Sequence, residues 1–486
     1  MKLSRKILKI ENLILLVLLV LGFTVRLYRF NGPIADWHSW RQADTSSVSR
    51  NFVNKGFNLL HPTYQDLSNV PSGLENPNGY RFVEFPIYNV FQAGLFKLSN
   101  VLTLEEWGRL VTIFASLFSS LFLFALIKKR FGRIPGLLTA FFFLFLPFNI
   151  YYSRTILPDP SMVTAILGST YFFDKWLEKE RPSVFSFHFL LALLLAAVSL
   201  LLKPYALFFT LPMVYIAYEK FGLFGLVKKW QLWFFLIVSV IPLILWRAWM
   251  TQFPAGIPAS AWLLNGGNIR FKGAFFYWIF ADRIGRLISG FWGIALIILG
   301  ILGKYTRKNF LFLSSFAVAS LAYVTVIARG NVQHDYYQIL IIPTLAILMG
   351  VGAASLLEKV DGYKKFVNYL VLLVVVLFAI FFGWYYVRDY FNINNPSIVV
   401  AGEAVDKLTP KNAKVIANYN GDTSFLYQTK RSGWASYEEP LPQMIQMGAD
   451  YLVIANPVAS DLNFGKTYKI VAQTSQYIIF NLRQKP

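Results

Sequence analysis

Residues 13–52 read LILLVLLVLGFTVRLYRFNGPIADWHSWRQADTSSVSRNF. The first half is almost entirely apolar and, with the basic residues before it, is typical of a membrane span. No small-residue cleavage site follows, so we predict that this segment is retained rather than removed as a signal peptide. The second half, residues 36–52, brings together two tryptophans, a histidine, two aspartates and two arginines. The sequence therefore predicts a span that leads directly into a polar loop rich in reactive side chains.

The composition agrees with a membrane protein. Hydrophobic residues make up 56% of the 486 residues and charged residues only 15%. A water-soluble domain of this length needs more polar surface, so we predict an α-helical polytopic membrane protein. The formal net charge of +21 does not indicate nucleic-acid binding, because the Lys and Arg residues are spread over many short loops. The absence of cysteine excludes disulfides and thiolate metal sites.

About eleven apolar runs are long enough to cross, or nearly cross, a bilayer. Basic segments occupy every second gap between them, and the amino terminus is basic as well. The positive-inside rule places all of these segments in the cytoplasm, so the other gaps and the carboxyl terminus are predicted to lie outside the cell membrane. The runs centre near Leu19, Phe118, Phe142, Ile166, Leu193, Phe209, Ile237, Ile294, Val318, Leu345 and Val374, and the basic segments are the amino terminus (Lys2, Arg5, Lys6, Lys9), KKRFGR (128–133), DKWLEKER (174–181), EKFGLFGLVKK (219–229), KYTRK (304–308) and EKVDGYKK (358–365).

One long apolar segment, residues 183–218, has basic segments on both sides. Because both of those are predicted to be cytoplasmic, the chain must cross the membrane twice between them. Proline cannot continue a helix, so we predict that the turn falls at Lys203-Pro204. About 18 residues from Ser186 span about 27 Å, enough to carry Lys203 to the outer interface.

The predicted outer segments suggest two domains. The first outer loop runs from about residue 31 to 107 and is polar and aromatic, and the fourth runs from about residue 251 to 286. Residues 1–390 are predicted to form the transmembrane domain, and residues 391–486 a soluble extracytoplasmic α/β domain. That domain has no glycine-rich phosphate loop, so we expect it to support the site or bind an acceptor. Its predicted strands are AKVIANY (413–419) and ADYLVIAN (449–456), its helices SIVVAGEAVDKL (397–408) and PLPQMIQMG (440–448), and its terminal hairpin YKIVAQTSQYIIFNL (468–482).

Five short motifs follow one another on the predicted outer face: DWHSWRQADT (36–45), EFPIYN (84–89), YYSRTILPDP (151–160), LLKPY (201–205) and HDYYQILIIP (334–343). In this arrangement the chain resembles the integral-membrane GT-C glycosyltransferases, family 39-like, of the protein O-mannosyltransferase and lipid A aminoarabinose transferase group. The resemblance covers about the first 390 residues in layout and only these motifs in sequence. It implies an inverting transfer of a sugar from a polyprenyl-phosphate donor to an acceptor hydroxyl outside the membrane, with an Asp as general base.

The candidate base is an aspartate of the first motif. The resembling family usually has an Asp-Glu pair at the start of the loop helix, where this chain has Arg41-Gln42, so the identity of the acid stays open. Asp44 is the first candidate, and its place before Thr45 also suits the cap of a helix. Asp36 is the second candidate, and an ordinary solvated loop acid is the alternative.

A cluster of cations is expected to hold the donor phosphate. Lys203 lies at the predicted outer end of a span, where a lysine can also simply extend to the lipid headgroups. Arg270 and Arg283 of the fourth loop could complete the cluster, since arginine contacts phosphate oxygens in a bidentate manner.

The remaining polar residues of the motifs are expected to bind substrate. Asp159 lies between two prolines, where a turn acid is the alternative, and Arg154 is predicted to pair with it. Acids and histidines of the outer face could hold a divalent ion, but their spacing matches no metal motif, so the sequence leaves a metal open. The predicted substrate-binding residues are His38, Arg41, Glu84, Arg154, Asp159, His334, Asp335 and Tyr336.

Two other functions remain open at this point. A transporter of polyprenyl-linked glycans needs charges midway through its spans and repeated halves, and the sequence has few such charges and no evident repeat. A polymerase or ligase of lipid-linked glycans normally has its large outer loop late in the chain, whereas here the acid-containing loop comes first. The expected partners are a polyprenyl-phosphate-linked sugar, a protein, lipid or glycan acceptor and membrane lipids, and the sequence specifies neither the sugar nor the acceptor.

Overall fold

The computed structural model describes residues 10–357 and 362–486 of a chain that is mainly helical, with a small sheet near the carboxyl terminus. The predicted basic amino terminus, with Lys2, Arg5, Lys6 and Lys9, and residues 358–361 of the last basic segment lie outside the described residues. The helices that precede the sheet are α1 (Ile10–Arg26), α2 (Ser39–Lys55), α3 (Ile87–Leu98), α4 (Leu104–Phe131), α5 (Arg133–Phe145), α6 (Pro147–Tyr152), α7 (Asp159–Leu177), α8 (Phe187–Leu202), α9 (Leu211–Lys228), α10 (Trp230–Met250), α11 (Trp262–Asn265), α12 (Gly273–Phe276), α13 (Ile294–Leu302), α14 (Arg307–Val326), α15 (Ala328–Gln333), α16 (Ile342–Leu356) and α17 (Tyr363–Val387).

The predicted apolar runs are helical. All of their centres lie in α-helices except Phe209, which lies in the 3₁₀ helix Pro204–Thr210. The fold is therefore that of a multi-pass helical membrane protein, as predicted, while the number of spans and their orientation stay predictions. Within the described residues, five helical segments are long and apolar enough to cross a membrane, namely Leu104–Phe131, Pro204–Lys228, Trp230–Met250, Arg307–Val326 and Tyr363–Leu408, and the shorter apolar helices include Arg133–Phe145, Phe187–Leu202 and Ile342–Leu356.

The long apolar segment at 183–218 breaks where the sequence predicts. Helix α8 begins with the hydroxyl of Ser186 accepting a hydrogen bond from the backbone N–H of Phe189, and it ends at Leu202. Lys203 is extended, with φ −157° and ψ 128°, and Pro204 begins the 3₁₀ helix. The break leaves the Lys203 side chain at the end of α8 rather than along a continuous helix.

Small residues bring helices α13 and α16 close together. Gly300 lies against the backbone of Leu348, and Gly352 lies against the backbone of Leu296, so that a Cβ at either glycine would clash with main-chain atoms. Close approach at small residues is a usual way for membrane helices to gain packing energy, because lipid removes the hydrophobic drive between them.

The carboxyl-terminal part is a five-stranded mixed sheet with helices, and it contains the predicted strands, helices and terminal hairpin. Strand β1 pairs in parallel with β2 and β3, β5 pairs antiparallel with β3 and β4, and the strand order is β2-β1-β3-β5-β4. Its elements are α18 (Pro396–Leu408), β1 (Lys414–Ala417), α19 (Ser424–Thr429), β2 (Ser432–Trp434), α20 (Leu441–Gln446), β3 (Tyr451–Ala455), β4 (Lys469–Gln473) and β5 (Tyr477–Asn481).

The sheet domain packs on the first loop. The backbone N–H of Leu67 donates to the carbonyl of Gly433 at 2.7 Å, and the N–H of Gly433 donates to the carbonyl of Gln65 at 3.0 Å, so this part of the loop extends the sheet beside β2. Ala35 lies in the same apolar cluster as Ile398 of α18. The first loop is thereby held between the helical bundle and the sheet domain.

Candidate functional site

A cavity of about 420 Å³ lies where the first loop meets the end of α8, the segment before α11 and the residues that follow α15. We call it the basic cavity, because four of its lining residues are Arg41, Arg81, Lys203 and Arg247. Aromatic side chains form much of the rest of its wall: Trp40, Phe82, Tyr205, Trp262, Tyr336 and Tyr337. The combination of cations and aromatic rings suits a ligand that carries both phosphate and sugar.

Glu84 is the only acidic residue that lines the basic cavity, as far as the described residues show. Both of its carboxylate oxygens accept from Nη2 of Arg41, at 2.9 and 2.8 Å. Burial, the largest single effect, raises the pKa of Glu84, but the charges of Arg41, Lys203 and Arg81 and the hydrogen bonds from Arg41 together hold that pKa below its usual value. Glu84 is therefore a carboxylate at neutral pH, and each oxygen keeps lone-pair capacity beyond its bond to Arg41.

Asp44 lies behind the wall of the basic cavity rather than on it. Its Oδ2 accepts from Nη2 of Arg81 at 2.6 Å, its Oδ1 accepts from the hydroxyl of Thr423 at 2.7 Å, and its side chain is buried. The predicted capping role is wrong, because α2 begins at Ser39 with His38 as its cap residue, six residues before Asp44. Since it does not line the cavity, Asp44 is poorly placed in this conformation to take a proton from a substrate.

Asp36 is also buried and bonded, which corrects the alternative that it is a solvated loop acid. Nε2 of Gln42 donates to its Oδ1 at 2.7 Å, and Nη2 of Arg154 donates to its Oδ2 at 3.0 Å. Arg154 therefore pairs with Asp36 and not with Asp159 as predicted. Asp36 does not line the basic cavity either.

Lys203 lines the basic cavity and is buried, so it does not extend into lipid. Its Nζ lies 2.7 Å from Oδ1 of Asp159, which is the first residue of α7. The ammonium also lies over the rings of Tyr336 and Tyr337, at 5.5 and 5.3 Å from their centroids. Asp159 is thus the counterion of the Lys203 ammonium, and the two tyrosine rings stabilise the ammonium by cation–π contacts.

A second buried carboxylate, Asp335, joins several elements next to the basic cavity. Nε2 of His38 lies 2.7 Å from its Oδ1, Tyr390 donates to its Oδ2 at 2.6 Å, and Trp37 and Tyr152 also donate to it. Burial, the largest single effect, raises the pKa of Asp335, yet His38, the charge of Arg283 and the hydrogen bond from Tyr152 together hold the pKa well below its usual range. Asp335 thus holds together residues that lie next to the basic cavity and does not line it, whereas the following residue, Tyr336, does.

His334 faces the basic cavity among aromatic rings. Its ring centroid lies 5.6 Å from that of Trp40, 5.9 Å from that of Trp262 and 5.6 Å from that of Tyr336. Burial, followed by the positive charge of His38, lowers the pKa of His334 to about 4. The imidazole is therefore neutral near pH 7 and can accept a proton.

Arg270 and Arg283 do not belong to the cation cluster, contrary to prediction. Arg270 donates to the backbone carbonyls of Leu264 and Val326 at 3.1 Å, and it does not line the basic cavity. Arg283 is bonded to Asp282 at 2.7 Å in the π-helix Tyr277–Ile288 and also does not line the cavity. Both guanidinium groups instead join the fourth loop to neighbouring helices, Arg270 at Val326 of α14 and Arg283 at the carbonyl of Val332 of α15.

Three of the side chains that could hold a divalent ion are paired with other residues in the described structure. Glu84 is paired with Arg41, Asp159 with Lys203 and His38 with Asp335. In the part of the chain that the structure describes, no group of three or more His, Asp or Glu side chains could hold a metal ion.

Two cations that line the basic cavity, Arg247 and Arg81, were not identified from the sequence, nor was Thr423, the threonine that bonds to Asp44. Arg247 ends a predicted span at the outer side, so the parity argument that singled out Lys203 applies to it equally. Arg81 precedes the EFPIYN motif by three residues, but nothing in its local pattern distinguishes it from a loop arginine. Thr423 belongs to the sheet domain, and only the fold brings it to Asp44.

Residues 84–246 match the family model of dolichyl-phosphate-mannose-protein mannosyltransferase. The fold is similar to that of ArnT from Cupriavidus metallidurans bound to undecaprenyl phosphate, with a TM-score of 0.64 and 13% identity over 96% of this chain and 97% of that one. It is also similar to the oligosaccharyltransferase of Archaeoglobus fulgidus in complex with Zn and sulfate, with a TM-score of 0.56 and 10% identity over 90% of this chain and 68% of that one. No curated protein sequence matches the chain. The predicted resemblance is confirmed, and the chain has the fold of the GT-C glycosyltransferases.

Proposed function

We propose that this protein is a glycosyltransferase that moves a sugar from a polyprenyl-phosphate donor to an acceptor hydroxyl. The observation that carries the proposal is the basic cavity, which combines four cations, one carboxylate and an aromatic wall at the end of the helical bundle. The match to a family that uses dolichyl-phosphate-mannose, and the fold shared with a protein bound to undecaprenyl phosphate, favour a lipid-phosphate donor.

The cations of the basic cavity are proposed to hold the donor phosphate. Lys203 supplies an ammonium, and Arg81 and Arg247 supply planar guanidinium groups that match two phosphate oxygens at once. As the sugar leaves, the phosphate gains negative charge, and fixed cations in a partly dry cavity stabilise that charge better than water does. The proposed phosphate site therefore keeps Lys203 from the sequence prediction. Arg81 and Arg247 take the places predicted for Arg270 and Arg283.

The acceptor oxygen attacks C1 of the sugar from the side opposite the phosphate. A bond forms between that oxygen and C1, and the bond between C1 and the phosphate oxygen breaks with its electron pair going to the phosphate. This inverts the anomeric centre. We assign the proton of the acceptor hydroxyl to Glu84, the carboxylate that lines the cavity, in place of Asp44 or Asp36. His334 is the other group on the cavity wall that can accept a proton.

The reaction is proposed to occur on the outer face of the cell membrane. The basic segments at 128–133, 174–181, 219–229 and 304–308 alternate with the segments that form the cavity, which favours a cytoplasmic amino terminus and an extracytoplasmic sheet domain. On that face, lipid-linked sugars and envelope acceptors are both accessible.

The test is transfer by the purified protein in lipid, given a panel of polyprenyl-phosphate sugars with and without a solubilised membrane extract as the source of acceptor. Release of polyprenyl phosphate with one sugar, lost in Lys203→Ala and kept in Lys272→Ala, is the expected result. Lys272 is an exposed cation of the fourth loop that forms no ion pair in the described structure, which makes it a matched control. Movement of intact lipid-linked glycan across vesicles without release would favour a transporter, and growth of a glycan chain would favour a polymerase or ligase.

A further inference from the structure

Thr423 of the sheet domain is bonded to residues that form the wall of the basic cavity. Its hydroxyl, directly before α19, donates to Oδ1 of Asp44 at 2.7 Å and lies farther, 3.2 Å, from the carbonyl oxygen of Trp40, and the other oxygen of Asp44 accepts from Nη2 of Arg81. Arg81 lines the cavity. Thr423, Asp44 and Arg81 thus form a continuous chain of contacts from the sheet domain to a cation of the proposed phosphate site.

Arg81 depends on Asp44 for its orientation. Among the described residues, Asp44 is the only hydrogen-bond partner of its guanidinium group, and Nε of Arg81 is buried without a partner. The guanidinium carbon of Arg81 also lies 5.1 Å from the ring centroid of Tyr64, a contact that is less directional than a hydrogen bond. The orientation of the Arg81 guanidinium group therefore depends on the position of the Asp44 carboxylate.

Thr423 is itself held firmly in place. Helix α19 packs against α2, the hydroxyl of Tyr427 donates to Ser46 at 2.9 Å, and Arg50 donates to the carbonyl of Tyr427 at 2.9 Å while lying over its ring. Nε2 of Gln428 donates to the carbonyl of Ile34 at 2.8 Å. These contacts do not involve the threonine hydroxyl, so the interface can persist when that hydroxyl alone is removed.

We propose that Thr423 and Asp44 are positioning residues that set the orientation of Arg81 toward the donor phosphate, so that the sheet domain completes the donor site. The inference rests on the proposed function, since it names how that site is built. It gives Asp44 a role other than proton transfer and gives the sheet domain a part in donor binding that its sequence does not indicate. A loosened Arg81 weakens donor binding and gives less stabilisation to the departing phosphate, whereas the proton acceptor is unchanged.

The experiment compares the variants Thr423→Val, Thr423→Ser and Asp44→Asn with the wild type, each as the full-length protein in lipid. Binding of polyprenyl phosphate alone, donor KM, kcat at saturating donor and the unfolding temperature are measured for each. Thr423→Val keeps the shape of the side chain and removes the hydroxyl that bonds to Asp44. We expect the Kd for polyprenyl phosphate and the KM for the sugar donor to rise about tenfold, with kcat lowered by less than about tenfold, because Lys203 and Arg247 still stabilise the departing phosphate and the proton acceptor is unchanged. Thr423→Ser should restore wild-type binding. Thr429→Val, at the end of α19 and bonded within the sheet domain, is the control for general loss of stability.

Asp44→Asn keeps the experiment decisive if Thr423→Val does not fold. The positioning role predicts a raised KM for the sugar donor with kcat at saturating donor lowered by less than about tenfold, whereas a base at Asp44 predicts loss of kcat by about 100-fold or more. Wild-type binding in Thr423→Val, or a loss of kcat of about 100-fold or more in Asp44→Asn at saturating donor, overturns the inference. If the wild-type protein neither binds polyprenyl phosphate nor releases it from any donor, the proposed function itself fails. This failure is distinguishable from a failure of the inference, because it is seen with the wild-type protein before any variant is measured.

Discussion

Replacement of Glu84 by Gln tests whether this residue accepts the proton of the acceptor hydroxyl. The substitution removes the carboxylate that lines the basic cavity and changes little in size. General-base catalysis contributes about 100- to 10,000-fold to the rate, which corresponds to about 3–5 kcal/mol of transition-state stabilisation. We therefore expect kcat at saturating donor to fall by at least about 100-fold.

The same substitution also breaks a buried ion pair, and this second effect must be separated from the first. Arg41 is buried, and the amide oxygen introduced by Glu84→Gln would keep one acceptor for it beside the hydroxyl of Thr45 at 3.1 Å, but its positive charge would lose its counterion. An unpaired buried charge costs about 3–5 kcal/mol of folding free energy, a large part of the total stability of a typical domain. A loss of activity in Glu84→Gln could thus reflect unfolding rather than chemistry.

The double variant Arg41→Gln/Glu84→Gln resolves the two effects. Two neutral amides can bond to each other, so the unfolding temperature should return toward that of wild type while kcat stays low. Arg41→Gln alone keeps the carboxylate, and it should raise donor KM more than it lowers kcat. Glu75→Gln, an exposed carboxylate of the same loop, should behave as wild type.

Release of polyprenyl phosphate at saturating donor and thermal unfolding in the same lipid are the two measurements. Turnover of Glu84→Gln within about threefold of wild type would refute the base role, because general-base catalysis is worth far more than that factor. A double variant that regains both stability and turnover would show that Glu84 matters only for folding. In either case His334→Gln becomes the next variant to examine, since His334 also faces the cavity.

Three further predictions concern the phosphate site, the pH dependence of stability and the topology. Lys203→Ala should raise donor KM about tenfold or more and lower the unfolding temperature, because Asp159 loses its cation, whereas Lys203→Arg should keep part of both; an unchanged dependence on donor concentration would contradict the phosphate role. The depressed pKa of Asp335 stabilises the fold above the unfolded pKa of about 3.9 and is lost as pH falls toward the folded pKa, so Asp335→Asn should flatten the fall in unfolding temperature below about pH 4. For topology, an impermeant thiol reagent added to intact cells should label Glu75→Cys and not Lys304→Cys, two exposed positions on opposite predicted sides, and the reverse pattern would overturn the outer-face assignment.

The parts of the fold that sequence reasoning predicts are those governed by local patterns. Long apolar runs can only be helices in lipid, because every backbone group must be bonded within its own segment. Helix α8 ends just before Pro204, as predicted, because the basic segments on both sides require a turn and the proline locates it; proline alone would not do so, since Pro242 lies inside α10. The strands of the sheet domain follow from short apolar runs between turn residues, and β1 and β3 appear where those runs predict.

The pairing of charges could not be predicted, because it depends on how separate segments meet. Asp159 and Arg154 are near in sequence, yet Arg154 reaches Asp36 and Lys203 reaches Asp159. The polar residues after Asp44 resemble a helix start, which predicts that Asp44 is a cap, whereas the helix begins six residues before Thr45, at Ser39. Local propensity was correct about the helix and wrong about its first residue, since end positions are set by packing as much as by sequence.

The first motif departs from its resembling family in a way that the structure makes understandable. Where the family usually has two adjacent acids, this chain has Arg41 and Gln42, which carry no negative charge. Each of them is bonded to a carboxylate from another place: Arg41 to Glu84 and Gln42 to Asp36. Only one of these carboxylates, Glu84, lines the basic cavity.

The negative charge that the resemblance expects on the loop helix is thus present beside that helix, supplied by the segment that leads into α3. Glu84 differs from an acid on the loop helix itself in two respects. Its position depends on the ion pair with Arg41, and its pKa lies below the usual value. Such a group stays ionised in the presence of a phosphate donor, whose own charge would otherwise favour protonation. The exchange of an acid for Arg41 is therefore compatible with proton transfer at this site, provided that Glu84 performs it.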